Sequence, residues 1–218
     1  MGAYQRGEPM NWMDMTLREF QAALASSSPT PGGGTAAAVA LGQAASLTVM
    51  VCDLTLGKEK WSSGWAHAHA TQSVAIPMLN RAGELATEDS DAFDAVMDGF
   101  ASPKATEEEK ASRRTAIRSA TLRAAEVPFE TAMLAQSLLN HLPELARTGN
   151  ANAVSDVGVA GLLASAAGKG AIFNVEINLS ALPDDHGVEL RGQLDALKEN
   201  IRLASRAVMD AVRGRMEA

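Results

Sequence analysis

Residues 34–52 read Gly-Thr-Ala-Ala-Ala-Val-Ala-Leu-Gly-Gln-Ala-Ala-Ser-Leu-Thr-Val-Met-Val-Cys, a stretch without one charged side chain. Its length approaches that of a membrane span. However, the Leu, Ile and Phe that drive insertion are nearly absent, Gln43 sits in the middle and Asp53 follows at once. Small residues recur at Ala36, Ala40 and Ala44, and again at Ala38, Gly42 and Ser46. That spacing lines one side of a helix with side chains small enough for another backbone to come close. The segment therefore predicts a central, buried helix of a water-soluble bundle, from about Thr35 to Leu56, stopped by Gly57.

The flanking sequence fits the same plan. Thr16-Leu17-Arg18-Glu19 is a capping box that opens a helix to about Ala25. Two prolines and three glycines within residues 26–34 then interrupt any regular structure. A third helix is expected from about Trp61 to Phe100, bent near Pro77 and finished before Pro103. Thr106 to Glu109 is a second capping box, starting a helix to about Ala146 with a kink near Pro128 and Gly149 at its end. Residues 153–182 read as a further helix. Phe173 to Asn178 alternates as a strand would, but six residues with no partner strand make a poor sheet. After a turn at Pro183–Gly187, an amphipathic helix from about Val188 to Arg213 completes the chain. The expectation is an all-α fold, a multi-helix bundle around a central Ala/Gly-rich helix, in a single domain over 1–218 with residues 1–15 as a flexible lead-in.

Composition narrows the function. Aromatic residues make up 4% of the 218, which disfavours a sheet-built core. The formal charge of −7 lacks the broad basic footprint of a nucleic-acid binder. A single cysteine, Cys52, forms no intramolecular disulfide and suits a reducing cytoplasm. The first fifteen residues hold Arg6, Glu8 and Asp14 but no apolar core, so no signal peptide is expected.

Four groups of residues could carry chemistry. Pro31-Gly32-Gly33-Gly34-Thr35 runs into a helix N-terminus, where free N–H groups favour an anion and glycines admit close approach. No Lys-Ser or Lys-Thr closes it, so it is not a Walker A loop; on composition alone, a flexible loop between helices is the stronger reading. Glu88-Asp89-Ser90-Asp91 lies beside Phe93, Val96 and Met97, and a carboxylate on an apolar face can act as general acid or base. A solvated acidic turn is the alternative. Gly149 to Asp156 is a polar turn feeding a helix, and Asn174 and Asn178 share one face, either bracing the bundle or reading a polar ring. His67 and His69 point about 200° apart on a helix and cannot share a metal, and the Cys pair of the zinc deaminases is missing.

Taken in order, Pro29–Gly34 with Leu54–Lys58, Asp89–Phe93 with Pro103-Lys104, Gly149–Asn152 with Ser155-Asp156, and Asn174–Leu179 resemble the cyclodeaminase/cyclohydrolase family. That family includes the C-terminal domain of formiminotransferase-cyclodeaminase and stand-alone methenyl-tetrahydrofolate cyclohydrolases. The resemblance covers about residues 16–182 and looks like the stand-alone form. It implies a homodimer or higher homo-oligomer, a tetrahydrofolate substrate, and no metal or organic cofactor. The expected activity is formimidoyl-tetrahydrofolate cyclodeaminase, with methenyl-tetrahydrofolate cyclohydrolase as the alternative and a non-catalytic folate-binding dimer as a more remote one. Asp89 matches the family's catalytic aspartate. Gly32, Gly33, Gly34 and Lys58 would hold the substrate's glutamate tail or line the pterin pocket, and Asn150, Asn152, Asp156 and Asn174 would contact the ring. Asp53, Trp61 and Val157 depart from the family's usual residues.

Overall fold

The computed structural model describes residues 11–218. Six α-helices follow in order: α1 (Leu17–Leu24), α2 (Gly33–Thr55), α3 (Trp65–Ala101), α4 (Glu107–Thr148), α5 (Val154–Ser180) and α6 (Val188–Met216). Among the described residues there is no strand. The Phe173–Asn178 alternation is helical, as its isolation requires.

Both capping boxes form. Thr16 and Glu19 cap each other's backbone at the start of α1, and Thr106 and Glu109 do so for α4. Short 3₁₀ turns precede α1, α3 and α5 at Trp12–Asp14, Glu59–Gly64 and Ala151–Ala153. The third helix thus starts at Trp65 rather than Trp61, because Trp61 has non-helical backbone angles (φ −112°, ψ 19°). Of the lead-in expected to be flexible, residues 1–10 lie outside the described residues. The remainder is structured, with Trp12 only 8% exposed.

The bundle is a square of four antiparallel helices with α6 added on one side. Thr35 of α2 meets Asp89 of α3 while Gly42 meets Ala82, so these two run antiparallel. Arg81 of α3 binds Glu130 of α4 and Arg123 of α4 binds Glu88 of α3, giving the next antiparallel pair. Helix α5 returns antiparallel between α4 and α2, with Asn178 on Ala124 and Gly33 beside Asn174. The interior is fully buried Ala at positions such as 44, 45, 68, 132, 135, 160, 164 and 167, filled out by Leu41, Leu138, Leu139 and Leu142. Small side chains keep the helices close and α2 central, as its sequence requires. Helix α6 buries Leu194, Leu197, Ile201, Ala204, Val208 and Ala211, a heptad-like stripe, against α4 and α5. A Cβ on Gly161 would stand 2.6 Å from Val208 Cγ1, so that glycine is the hole for an α6 knob.

Helices α3 and α4 pass through Pro77, Pro128 and Pro143 without interruption. A proline inside a helix frees the carbonyl four residues earlier. For Pro128 that carbonyl belongs to Ala124, and the Asn178 side-chain amide donates to it at 2.7 Å. The amide read from the sequence, half-buried, is therefore a brace that repairs a proline defect in its neighbour.

Candidate active site around Asp89

The N-terminus of α2 is built to receive a carboxylate. Gly32 is its N-cap, without a side-chain cap, and Gly33 and Gly34 form its first turn. A Cβ on Gly34 would stand 2.6 Å from Asp89 Cγ and 2.7 Å from its Oδ2, so the glycine vacates the space that Asp89 fills. The two other glycines are not required in this way. A Cβ at Gly33 would find Asn174 Nδ2 at 3.9 Å, and one at Gly32 the Pro29 carbonyl oxygen at 3.5 Å, both ordinary contacts.

Asp89 reaches this position from the middle of α3. Thr35 Oγ1 donates to Asp89 Oδ2 at 2.9 Å and lies 3.1 Å from Ser90 Oγ, while the Trp12 indole Nε1–H donates to Ser90 Oγ at 2.9 Å. Thr35 is fully buried and Ser90 nearly so. Burial pushes the Asp89 carboxyl above its ordinary value, and the hydrogen bonds from Thr35 side chain and backbone pull against that rise without cancelling it. The acidic cluster of the sequence thus separates into roles. Glu88 pairs with Arg81 and Arg123, Asp91 is exposed with its carboxyl raised by burial, Asp94 and Glu88, and Asp89 alone turns into the bundle.

Exposed apolar side chains continue from here along α3 and α5. Phe93 lies one helical turn beyond Asp89, followed by Met97 and Phe100, all partly exposed. Phe173 and Ile177 flank Asn174 on α5 and are 70% and 67% exposed. Asn174 Nδ2 donates to Gly170 O at 2.9 Å, which leaves its Oδ1 free for a ligand.

The remaining expected site residues are elsewhere. Asn150 N–H donates to Thr55 Oγ1 at 3.0 Å and its Nδ2 to the Leu54 carbonyl at 3.1 Å, at the C-terminal end of α2. Asn150 Oδ1 accepts from Asn152 N–H, Asp156 is half-buried in the first turn of α5, and Lys58 is exposed just past Gly57. Asp53 is bonded by Gln72 at 2.6 Å. Between these residues and Gly34 lies nearly all of α2, whose 23 residues span about 35 Å at 1.5 Å each. Within one chain, Asp89, Gly32–Gly34 and Asn174 therefore form one group, and Lys58, Asn150, Asn152 and Asp156 form another at the opposite end.

Sequence reasoning missed Thr35, Ser90 and Trp12. Two cavities of about 570 and 320 Å³ flank Met13, the second lined also by Trp12, Phe20, Val39 and Leu79; neither is lined by Asp89. Among the described residues no three His, Cys, Asp or Glu side chains converge as metal ligands would.

Comparison with known proteins places the sequence and the fold in one family. The sequence profile of the formiminotransferase-cyclodeaminase family matches residues 16–193. The chain is 38% identical over 169 residues to a methenyltetrahydrofolate cyclohydrolase of Methylorubrum extorquens, covering 78% of this chain and 81% of that protein. It is 31% identical over 216 residues to the formimidoyltransferase-cyclodeaminase of Rattus norvegicus, spanning 97% of this chain but 39% of that longer protein. The crystal structure of a formiminotetrahydrofolate cyclodeaminase from Thermotoga maritima superimposes with a TM-score of 0.81 at 27% identity, covering 93% of this chain and 98% of the other. By sequence profile, by identity to its relatives and by fold, the chain belongs to the formiminotransferase-cyclodeaminase family.

Proposed function

We propose that the protein is a one-carbon enzyme acting on a tetrahydrofolate, with Asp89 as its proton acceptor and formimidoyl-tetrahydrofolate cyclodeaminase as its activity. The observation that carries this reading is the Asp89 carboxylate seated at the α2 N-terminus, partly desolvated and held by Thr35. In the reaction, the second folate nitrogen attacks the carbon of the protonated, cationic formimino group and gives a tetrahedral adduct bearing a neutral amine. Asp89 takes the proton from the attacking nitrogen and returns it to the amine nitrogen. Ammonia leaves with the C–N bonding pair, and the 5,10-methenyl cation remains. A carboxylate beside a cationic centre stabilises that charge, and a proton affinity raised by burial favours its taking up a proton. The electrophile belongs to the substrate, so the proposed chemistry calls for no metal or organic cofactor. The cyclohydrolase reaction, in which Asp89 takes a proton from water attacking the methenyl carbon, is the second reading. It is favoured by the 38% identity to the Methylorubrum extorquens enzyme over most of that protein's length.

The proposal includes a homodimer. Helix α5 exposes Val159, Leu162, Phe173 and Ile177 along one face, and α2 adds Met50 and Leu54 near its C-terminal end. Exposed apolar side chains gathered along one helix face mark an association surface. A twofold axis through its middle would set the Asp89 end of one copy against the Asn150 end of the other, because α2 and α5 carry one group at each end. The substrate would then lie between Asp89, Asn174 and Gly33 of one protomer and the second copy of Lys58, Asn150, Asn152 and Asp156. The buried Cys52 thiol, pushed up to about 12 mainly by burial, is kept protonated and unreactive.

The test follows the methenyl chromophore by absorbance with each folate separately, on the wild-type protein and Asp89→Asn. Formation from formimino-tetrahydrofolate, lost in the variant, supports the cyclodeaminase; faster decay of methenyl-tetrahydrofolate supports the cyclohydrolase. Rates equal to the uncatalysed ones overturn both and leave a folate-binding dimer. For the shared site, mixing Asp89→Asn with an inactive Lys58→Met should restore about a quarter of wild-type activity through hybrid dimers. No recovery would overturn the composite site.

A further inference from the structure

We propose that Trp12, Ser90 and Thr35 form a one-way hydrogen-bond chain that fixes Asp89 through Oδ2 and reserves Oδ1 as the atom that exchanges a proton with the substrate. The inference rests on the reading of Asp89 as the proton acceptor.

The direction of the chain follows from its ends. An indole N–H only donates, so Trp12 gives a hydrogen to Ser90 Oγ at 2.9 Å. An ionised carboxylate only accepts, so Thr35 Oγ1 gives its single hydrogen to Asp89 Oδ2 at 2.9 Å. Thr35 then has no hydrogen left for Ser90, and across the 3.1 Å between the two hydroxyls Ser90 must be the donor. Every proton in the chain points toward Asp89. A proton arriving on Oδ2 would have to reverse both hydroxyls and would meet an indole that cannot accept. The chain therefore holds the carboxylate and does not drain it, and the proton resides on Oδ1, the oxygen against Gly34.

The links are shielded from exchange. Thr35 is fully buried, Ser90 is 5% exposed and Trp12 8%. Trp12 is anchored in turn by an edge-on contact with Phe20, ring centroids 6.4 Å apart. The segment preceding α1 thus acts on the site through two hydroxyls without reaching substrate, which makes Trp12, Ser90 and Thr35 positioning residues. The charged groups near Asp89 are otherwise engaged. On α3 Glu88 is bound by Arg81 and Arg123 and Asp91 is exposed, on α4 Glu130 is bound by Arg81, and α5 presents the neutral Asn174.

The Trp12 indole resonance in a ¹H–¹⁵N spectrum, assigned by its loss in Trp12→Phe, tests the chain. The chain should carry the ionisation of Asp89 to that N–H, so its shift should titrate with the wild-type protein and stay flat in Asp89→Asn. Thr35→Val should flatten it while the carboxyl still titrates, and Thr35→Ser should restore it. Ser90→Ala, which removes one hydroxyl and little volume, makes the same cut should Thr35→Val not fold. In turnover, Thr35→Val should lower kcat by about tenfold to a hundredfold with little change in KM, and Thr35→Ser should recover it. An indole shift unmoved across the wild-type titration, or equally mobile in Thr35→Val, overturns the chain. Absence of turnover in the wild type would overturn the assigned reaction instead, and the titration would still decide the chain.

Discussion

Replacing Gly34 by alanine should remove activity without unfolding the protein. The added Cβ would stand 2.6 Å from Asp89 Cγ, where ordinary contact begins at 3.4 Å, so the carboxylate must retreat by at least the difference, 0.8 Å. It is the end of a side chain and can do so, whereas the helix backbone that carries Gly34 cannot easily shift. The retreat lengthens the 2.9 Å bond from Thr35 and draws the proton acceptor off its line to the substrate. A displacement near 1 Å at a reacting group costs on the order of a hundredfold in rate. Stability moves the other way, since alanine in a helix is favoured over glycine by up to about 1 kcal/mol. The assay is methenyl-folate absorbance at saturating substrate together with a thermal melt. The expected pair of results is a kcat lowered about a hundredfold and a melting temperature equal to or above that of the wild type. Gly192→Ala on α6, away from the site, is the matched control, because its Cβ meets nothing within 4 Å. If Gly34→Ala keeps more than half of wild-type kcat, or if Gly192→Ala loses as much, the carboxylate is not held against Gly34.

Other consequences concern stability. Asp89 carries a carboxyl raised by burial, so its ionisation costs the folded state above the folded pKa and costs nothing once both states are protonated. Asp89→Asn should therefore melt higher than wild type at neutral pH, and scanning calorimetry should show the gap closing as pH falls. Asn178→Leu should cost about 1–3 kcal/mol in urea unfolding, because the Ala124 carbonyl already freed by Pro128 would lose its donor. Glu130 is held below its ordinary value chiefly by Arg81, so that pair stabilises above the unfolded glutamate pKa and the contribution is lost as pH falls through the lower folded one. Arg81→Met should flatten the acid arm of the stability profile and lower the melting temperature at neutral pH.

The helices were legible because their signals are local. Each capping box spans four residues, and the small-residue periodicity of residues 34–52 is visible in one pass. Asp89 was legible as a motif. What holds it was not, since Thr35 is 54 residues away and the Trp12–Ser90 bond joins residues 78 apart. Nothing in the local pattern around Trp12 points to Ser90. Gly34 was read as making room for a ligand, when the room is taken by a side chain of the same protein. The division of the expected site was within reach of simple arithmetic, because an unbroken helix between Gly34 and Lys58 cannot bring its two ends together.

That unbroken helix makes α2 a gauge block with a fixed setting. Each residue of it advances the far end by about 1.5 Å and turns it by about 100°. Deleting one residue between Ala36 and Val51 would leave Asp89 docked against Gly34 and swing the Leu54–Lys58 end to a different side of the bundle. The losses in one-residue insertions and deletions should be severe, and those of seven residues, which nearly restore the angle, should differ from them in kind. The length of α2 is thus a constraint on the gene as much as on the fold: substitutions along it answer to packing, whereas changes in its count answer to angle.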